Sequence, residues 1–184
     1  MKFNHLKGYE SVTLPTETIN GKRYYVTPDG NKYPSVTTVT GMHNAKWVAK
    51  WRKNVGDEVA DKISAQAAGR GSRYHYMQED FINNLDITEK LANATPLDQM
   101  MFNQTRELTE KIGDIYMLEG SLYSDDLAIA GRVDCIAEFA GQVSVIDFKT
   151  STKAKSPSQI KNYFMQETAY AKMFEERYQV PIER

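Results

Sequence analysis

Residues 145–150 read Val-Ile-Asp-Phe-Lys-Thr, an acid and a base two positions apart in a stretch otherwise suited to a buried β-strand. Side chains alternate along a strand, so Asp147 and Lys149 are expected on one face and Phe148 on the other. Burying both charges is costly unless each finds a partner. The pair is therefore either an ion pair that fixes packing or the acid and base of a reactive site. Asp134 lies in Gly-Arg-Val-Asp-Cys, and a turn at Gly141 folds that strand back on residues 145–150, bringing Asp134 and Asp147 together across the ladder. Two adjacent carboxylates repel unless a cation lies between them, and their oxygens are the ligands that a hard divalent ion such as Mg2+ or Mn2+ prefers. Lys149 would stand beside that ion, placed to orient or help deprotonate a water, or to neutralise charge developing on a phosphate. A mutually neutralised core cluster is the alternative, and it needs two acids to share one lysine.

Other residues extend this constellation. Glu119, on the strand before Asp134, can complete a metal shell or hold a neighbouring water or lysine, and it can equally be surface. His75 can supply an imidazole ligand or can simply be a packed histidine. Gln166 and Tyr170 lie four residues apart on the face of a helix that also carries Ile160, Tyr163 and Phe174. A buried amide beside a phenol needs hydrogen-bond partners, either within the helix packing or at an active site or nucleic acid. Trp47 and Trp51, one turn apart on a basic helix, can stack on unpaired bases or belong to a core. Four lysines (149, 153, 155 and 161) and no acid fill positions 149–161, and seven Lys/Arg face three acids over positions 46–73, which end at Arg73. Such runs are solvated faces unless a site stands beside them.

Composition narrows the class. The chain has 184 residues, one domain's worth, and a net charge of -1, so any nucleic-acid binding must rest on local charge. Its single cysteine, Cys135, excludes a disulfide framework and any four-cysteine zinc or iron-sulfur site within the chain, and fits a reducing compartment. No stretch approaches about 18 uninterrupted apolar residues, and the first ten residues carry neither an apolar export core nor an Arg-rich transit pattern. No membrane association is expected, and the expected location is the cytoplasm.

The elements that must position these groups follow from periodicity. Residues 1–43 read as a hairpin region: Arg23–Thr27 is β-prone, Pro28–Asn31 is turn chemistry, and Tyr33–Val39 resumes extended structure. Residues 44–116 read as helical. Asn44 is a candidate cap for 45–55, a long helix runs from about 57 to 83 with a break or bend near Gly69 and Gly71, and a further amphipathic helix spans 96–116 with Met100, Met101, Leu108 and Ile112 near one face. The period then changes from 3.6 to 2, giving three strands in an antiparallel meander, and Ser156-Pro157 opens a last helix. The order implies an α+β, or mixed α/β, single domain, and the lack of G-x-G-x-x-G after a strand excludes a dinucleotide-binding βαβ unit.

Taken together, Gly71-x-x-x-His75, Glu119, Gly131-x-x-Asp134, Asp147-x-Lys149 and Gln166-x-x-x-Tyr170 resemble, in order, the motifs of the RecB-like exonuclease branch of the PD-(D/E)XK nucleases, in the group of mitochondrial genome maintenance exonucleases and their phage relatives. Tyr33–Val39 is similar to a segment near the start of those proteins. The resemblance implies a PD-(D/E)XK core in residues 116–184, with His75, Asp134, Asp147 and the Phe148 carbonyl binding the metal. Lys149 becomes the catalytic lysine, and Gln166 and Tyr170 the supporting motif. Many RecB-like relatives hold an iron-sulfur cluster on four cysteines, which one cysteine cannot do. The family core usually continues past the Q-x-x-x-Y helix into another strand, and the residues here after it are Gln-Val-Pro-Ile-Glu-Arg.

The expectation is a Mg2+- or Mn2+-dependent, monomeric DNA exonuclease of replication, recombination or repair, from a bacterium or a phage-infected cell, acting on single strands or on duplex ends and flaps. Replication or recombination proteins are candidate partners. Arg73, Lys153, Lys155, Trp47 and Trp51 would grip the DNA. A structure-specific or restriction-type endonuclease is the alternative within this class, and a non-catalytic recombination accessory module the alternative outside it.

Overall fold

β-prone residues punctuated by turn formers set the architecture of the first 35 positions. In the computed structural model, which describes residues 2–184, they form β1 (Asn4–His5) and a ribbon of β2 (Thr16–Ile19), β3 (Lys22–Val26) and β4 (Lys32–Pro34). Asn20 and Gly21, at φ 52° and 73°, join β2 to β3, because a two-residue hairpin turn of this hand needs positive φ at both positions. The expected hairpin thus gains a strand. Extended structure does not resume through Val39: the Ser35 hydroxyl accepts the Thr38 N–H at 3.0 Å and caps α1 (Val36–Gly41). A serine cap outweighs the strand preference of the β-branched run behind it.

A 3-10 turn over Met42–Asn44 leads straight into α2 (Ala45–Val55), so Asn44 has helical backbone angles and does not cap it. After a turn at Gly56, α3 (Asp57–Ile82) runs unbroken through Gly69 and Gly71, contrary to the expected break. Helical hydrogen bonds on either side carry two isolated glycines at a cost of about 1 kcal/mol each. The short α4 (Thr88–Ala92) is an addition, and α5 (Pro96–Thr109) starts at Thr95, whose hydroxyl accepts the Asp98 N–H at 3.2 Å. It stops at Thr109, short of the expected Tyr116, because residues 112–116 already belong to a strand.

That strand, β5 (Ile112–Ser124), with β6 (Ile129–Phe139) and β7 (Gln142–Ile146), forms the antiparallel meander. β1 pairs in parallel with the outer side of β5. Ala140 and Gly141, at φ 53° and 82°, make the tight turn that returns β7 against β6. α6 (Lys161–Tyr178) follows a 3-10 turn at Pro157–Gln159, a few residues later than expected. The residues after α6 come back to β7: the Glu183 N–H donates to Val143 at 2.9 Å and the Val145 N–H to Arg184 at 3.0 Å.

The sheet separates two apolar layers. On one face Tyr74 and Ile82 of α3 meet Ile112, Ile115, Cys135, Ala137 and Phe148, with Phe3 from the N-terminus. On the other, Val36 of α1 and Met173 and Phe174 of α6 meet Met117, Leu122, Val133 and Ile136. Tyr170 of α6 comes down on Gly131 of β6 so closely that a Cβ at 131 would lie 2.8 Å from both a ring carbon and the hydroxyl. Glycine at the start of the G-x-x-D motif is thus explained by packing. Gly131→Ala should destabilise the protein by about 1–3 kcal/mol, read as a fall in melting temperature, whereas Gly41→Ala, with no atom within 4 Å of the added Cβ, should not. Equal melting temperatures for the two variants would refute this account.

Candidate active site

α3 lays one side along the middle of the meander, and the 3.6-residue repeat brings Gly71, Ser72, His75, Tyr76 and Glu79 to that side. Glu119 of β5 and Asp134 of β6 stand opposite each other beneath it, between the paired positions Leu118–Cys135 and Gly120–Val133. Glu119 has φ 49°, in the left-handed region, a strain of order 1 kcal/mol for a non-glycine residue. The consequence is a local loss of alternation. Leu118 and Glu119, successive in sequence, both address α3, and so do Asp134 and Cys135.

The imidazole of His75 reaches into this gap. Its Nδ1 is 3.5 Å from Asp134 Oδ2 and 3.9 Å from Glu119 Oε1, and ligand atoms of the three residues all lie within 4.8 Å of one another. Arg132, two residues before Asp134, donates from Nε to the Glu119 backbone carbonyl at 2.9 Å and forms an ion pair with Glu119 Oε2 at 2.9 Å. An open cavity of about 240 Å³ lies above, lined by Ser72, His75, Tyr76, Glu79, Glu119 and Arg132.

Asp147 and Lys149 lie just past the last paired residue of β7, so they continue the strand's direction without its ladder. Phe148 is turned into the α3-side core, edge-on to Tyr74 and His75. Its N–H donates to Asp134 Oδ2 at 2.8 Å, tying the two acid-bearing segments together, and its carbonyl faces the His75 ring. Asp147, with its side chain only 4% exposed, holds Lys149 through Oδ1, which also accepts the Gln166 amide at 3.2 Å. Its other oxygen, Oδ2, is buried and has no hydrogen-bond partner among the described residues. A buried carboxylate oxygen left orphaned near a second carboxylate fits a site that takes up a cation. Carboxylate oxygens suit Mg2+ or Mn2+, and the imidazole nitrogen shifts the preference toward Mn2+.

The other residues singled out in the sequence scatter. Tyr170 packs on Gly131 while Gln166 donates to Asp147, and no hydrogen bond joins the two among the described residues, so they share a helix face but serve different segments. Arg73 does not face the cavity: 200° around α3 from both Gly71 and His75 at 100° per residue, it binds the buried Asp98 of α5 at 2.7 Å. Trp47 and Trp51 are not core. Every residue of α2 is at least partly exposed, Trp47 is 65% exposed, and the two rings are parallel with centroids 6.2 Å apart. Lys153 is exposed, and Lys155 bonds the Tyr163 hydroxyl. Sequence reasoning missed Glu79, Arg132 and Arg70, whose Nε lies 3.4 Å from Thr150 Oγ1. The i+4 spacing of Glu79 from His75 and the i−2 spacing of Arg132 from Asp134 were the available signals.

The electrostatics reflect the crowding of acids at this site. Burial, then the charge of Asp147, pushes the Asp134 carboxyl up to about 6. The neighbouring Glu119 carboxylate raises His75 against the pull of burial, and burial, then Glu119, raises Glu79. For Asp134 the folded value exceeds the unfolded 3.8, so its contribution to stability is present below that value and lost as pH rises through about 6. His75, raised above 6.5, acts in the same direction at higher pH. The metal-free protein should therefore lose stability between pH 5 and pH 8. Asp134→Asn should recover on the order of 2 kcal/mol at pH 8, and added Mn2+ should raise the melting temperature of wild type but not of the variant. A flat wild-type profile in EDTA, or equal Mn2+ gains, would refute the assignment.

Mitochondrial genome maintenance exonuclease 1 of Xenopus tropicalis is 29% identical over 130 residues, 66% of this chain and 37% of that protein. The human protein of the same name is 25% identical over 133 residues, 68% and 38% respectively. The match thus spans little more than a third of the length of these relatives. Residues 34–183, which carry α3, the meander and α6, match the PD-(D/E)XK nuclease superfamily, and the chain belongs to it.

Proposed function

We propose that this chain is a divalent-metal-dependent DNA exonuclease whose reactive groups are His75, Asp134, Asp147 and Lys149, supported by Glu119 and Gln166. The observation that carries this reading is the convergence of Asp134 and Asp147 beside His75 and Lys149, with the buried Asp147 Oδ2 unpartnered. His75, Glu119 and Asp134, whose ligand atoms lie within 4.8 Å of one another, would hold the ion, and Asp147 and the Phe148 carbonyl would complete its shell. A bound Mg2+ or Mn2+ supplies Lewis acidity for a water and for the scissile phosphate.

The protein's own groups do the rest. The Phe148 N–H fixes the orientation of Asp134, and Gln166 fixes that of Asp147. Lys149 presents ammonium protons where an attacking water and a phosphate oxygen would lie, lowering the cost of negative charge as the new P–O bond forms and the old one breaks. The retained acids and lysine argue against a non-catalytic accessory module. Lys149→Ala should lower hydrolysis by on the order of 10²-fold or more while circular dichroism and DNA binding persist. Loss of the fold instead would support a structural ion pair, and full activity in EDTA would end the metal-dependent reading.

A free single-stranded end is the proposed substrate feature. The exposed Trp47 and the half-buried Trp51, their rings parallel, sit on a helix with Lys46, Lys50 and Lys53, a combination that stacks unpaired bases and attracts their backbone. The relatives' name, exonuclease, supports a requirement for an end. Linear single strands should be degraded in steps and covalently closed circles of the same sequence hardly at all, with activity falling steeply as salt rises. Equal rates on circle and linear DNA would replace this reading with an endonuclease.

A further inference from the structure

Tyr163 near the start of α6 holds two lysines at once. The Lys149 Nζ lies 5.7 Å and the Lys155 Nζ 4.6 Å from its ring centroid, and Lys155 also donates to the phenol oxygen. On α6 the spacing i, i+3, i+7 puts Tyr163, Gln166 and Tyr170 on one face. In that order they meet Lys149, Asp147 and Gly131, so a single helix face touches two residues of the reactive segment and the strand that carries Asp134.

The choice of an aromatic partner has a chemical consequence. A second carboxylate beside Lys149 would take up its N–H donors, whereas a ring face attracts the ammonium charge and leaves those donors free. Asp147 alone would also pull Lys149 onto the carboxylate that the ion needs. The ring offers the ammonium a second place of rest, within reach of both Asp147 and the substrate. Lys155 is held by the hydroxyl of the same ring, at the far end of the loop 150–160. Two ammonium groups on one ring repel each other and jointly attract a phosphate.

We propose that Tyr163 is a positioning residue with two separable parts: its ring places Lys149 for the reaction, and its hydroxyl places Lys155 against a DNA phosphate next to the scissile one. This rests on the nuclease reading above. The test compares wild type, Tyr163→Phe, Tyr163→Leu and Tyr163→Met on linear single-stranded DNA with Mn2+, each checked by circular dichroism and thermal melting. Loss of the ring in the Leu and Met variants should lower kcat by roughly 3- to 30-fold with Mn2+ affinity unchanged. Tyr163→Phe should restore most of kcat but keep a raised KM and a salt dependence shallower by about one phosphate contact.

A readout independent of activity is the NMR signal of Lys149 after reductive 13C-methylation, which should show a ring-current shift in wild type and Tyr163→Phe and lose it in the Leu and Met variants. Unchanged kcat in folded Leu or Met variants, or equal loss of kcat in the Phe and Leu variants, would overturn the proposal. An inactive wild type would overturn the nuclease reading, and the NMR shift would still show whether the ring holds Lys149.

Discussion

Two carboxylates brought together where little water reaches them are the constraint around which the molecule is arranged. Asp134 and Asp147 lie on neighbouring segments joined by the Ala140-Gly141 turn, and burial together with mutual repulsion raises the Asp134 carboxyl. Left to themselves such groups would neutralise or drive the strands apart. The surroundings instead supply partial compensation from several directions: the Phe148 amide on Asp134, Lys149 and Gln166 on Asp147, and Arg132 on Glu119. The compensation stops short of the Asp147 Oδ2, which is buried and has no hydrogen-bond partner among the described residues.

Two helices on opposite faces of one sheet make that arrangement possible. α3 reaches the acids from above through His75, while its Tyr74 and Ile82 enter the core beneath. α6 reaches them from the other face through Gln166, with Met173 and Phe174 as its apolar anchors. Each helix thus carries a polar contact at the site and a hydrophobic one in a core layer, so the reactive geometry is held by packing that has no other stake in the chemistry. Tyr170 lies on Gly131 with no room for a Cβ between them, which sets the height of α6 above the strand that carries Asp134.

α2 stands apart. It contributes no buried residue, yet it displays two tryptophans with parallel rings, a costly use of aromatic surface unless something covers it. Its basic residues are partly engaged within the protein, since Arg52 binds both Asp57 and Asp61 of α3. Lys46, Lys50 and Lys53 carry the remaining charge of that helix.

Much of this was legible without coordinates, because it depends on local rules. The meander follows from period-two apolar patterning and a two-residue turn, the start of α5 from its amphipathic period, and the meeting of Asp147 with Asp134, Lys149 and Gln166 from the expense of placing polar groups in apolar runs. The element boundaries went astray where one local rule overrode another, as when Ser35 made a helix of a β-branched segment. What only the tertiary structure decided is which groups meet. The left-handed Glu119 breaks the alternation that the sequence implies and turns its carboxylate to His75, Arg73 is claimed by Asp98, and Tyr163 collects Lys149 and Lys155. Those outcomes depend on contacts between segments far apart in the chain and on one strained backbone angle, and neither residue type nor spacing encodes such contacts until the helices have docked on the sheet.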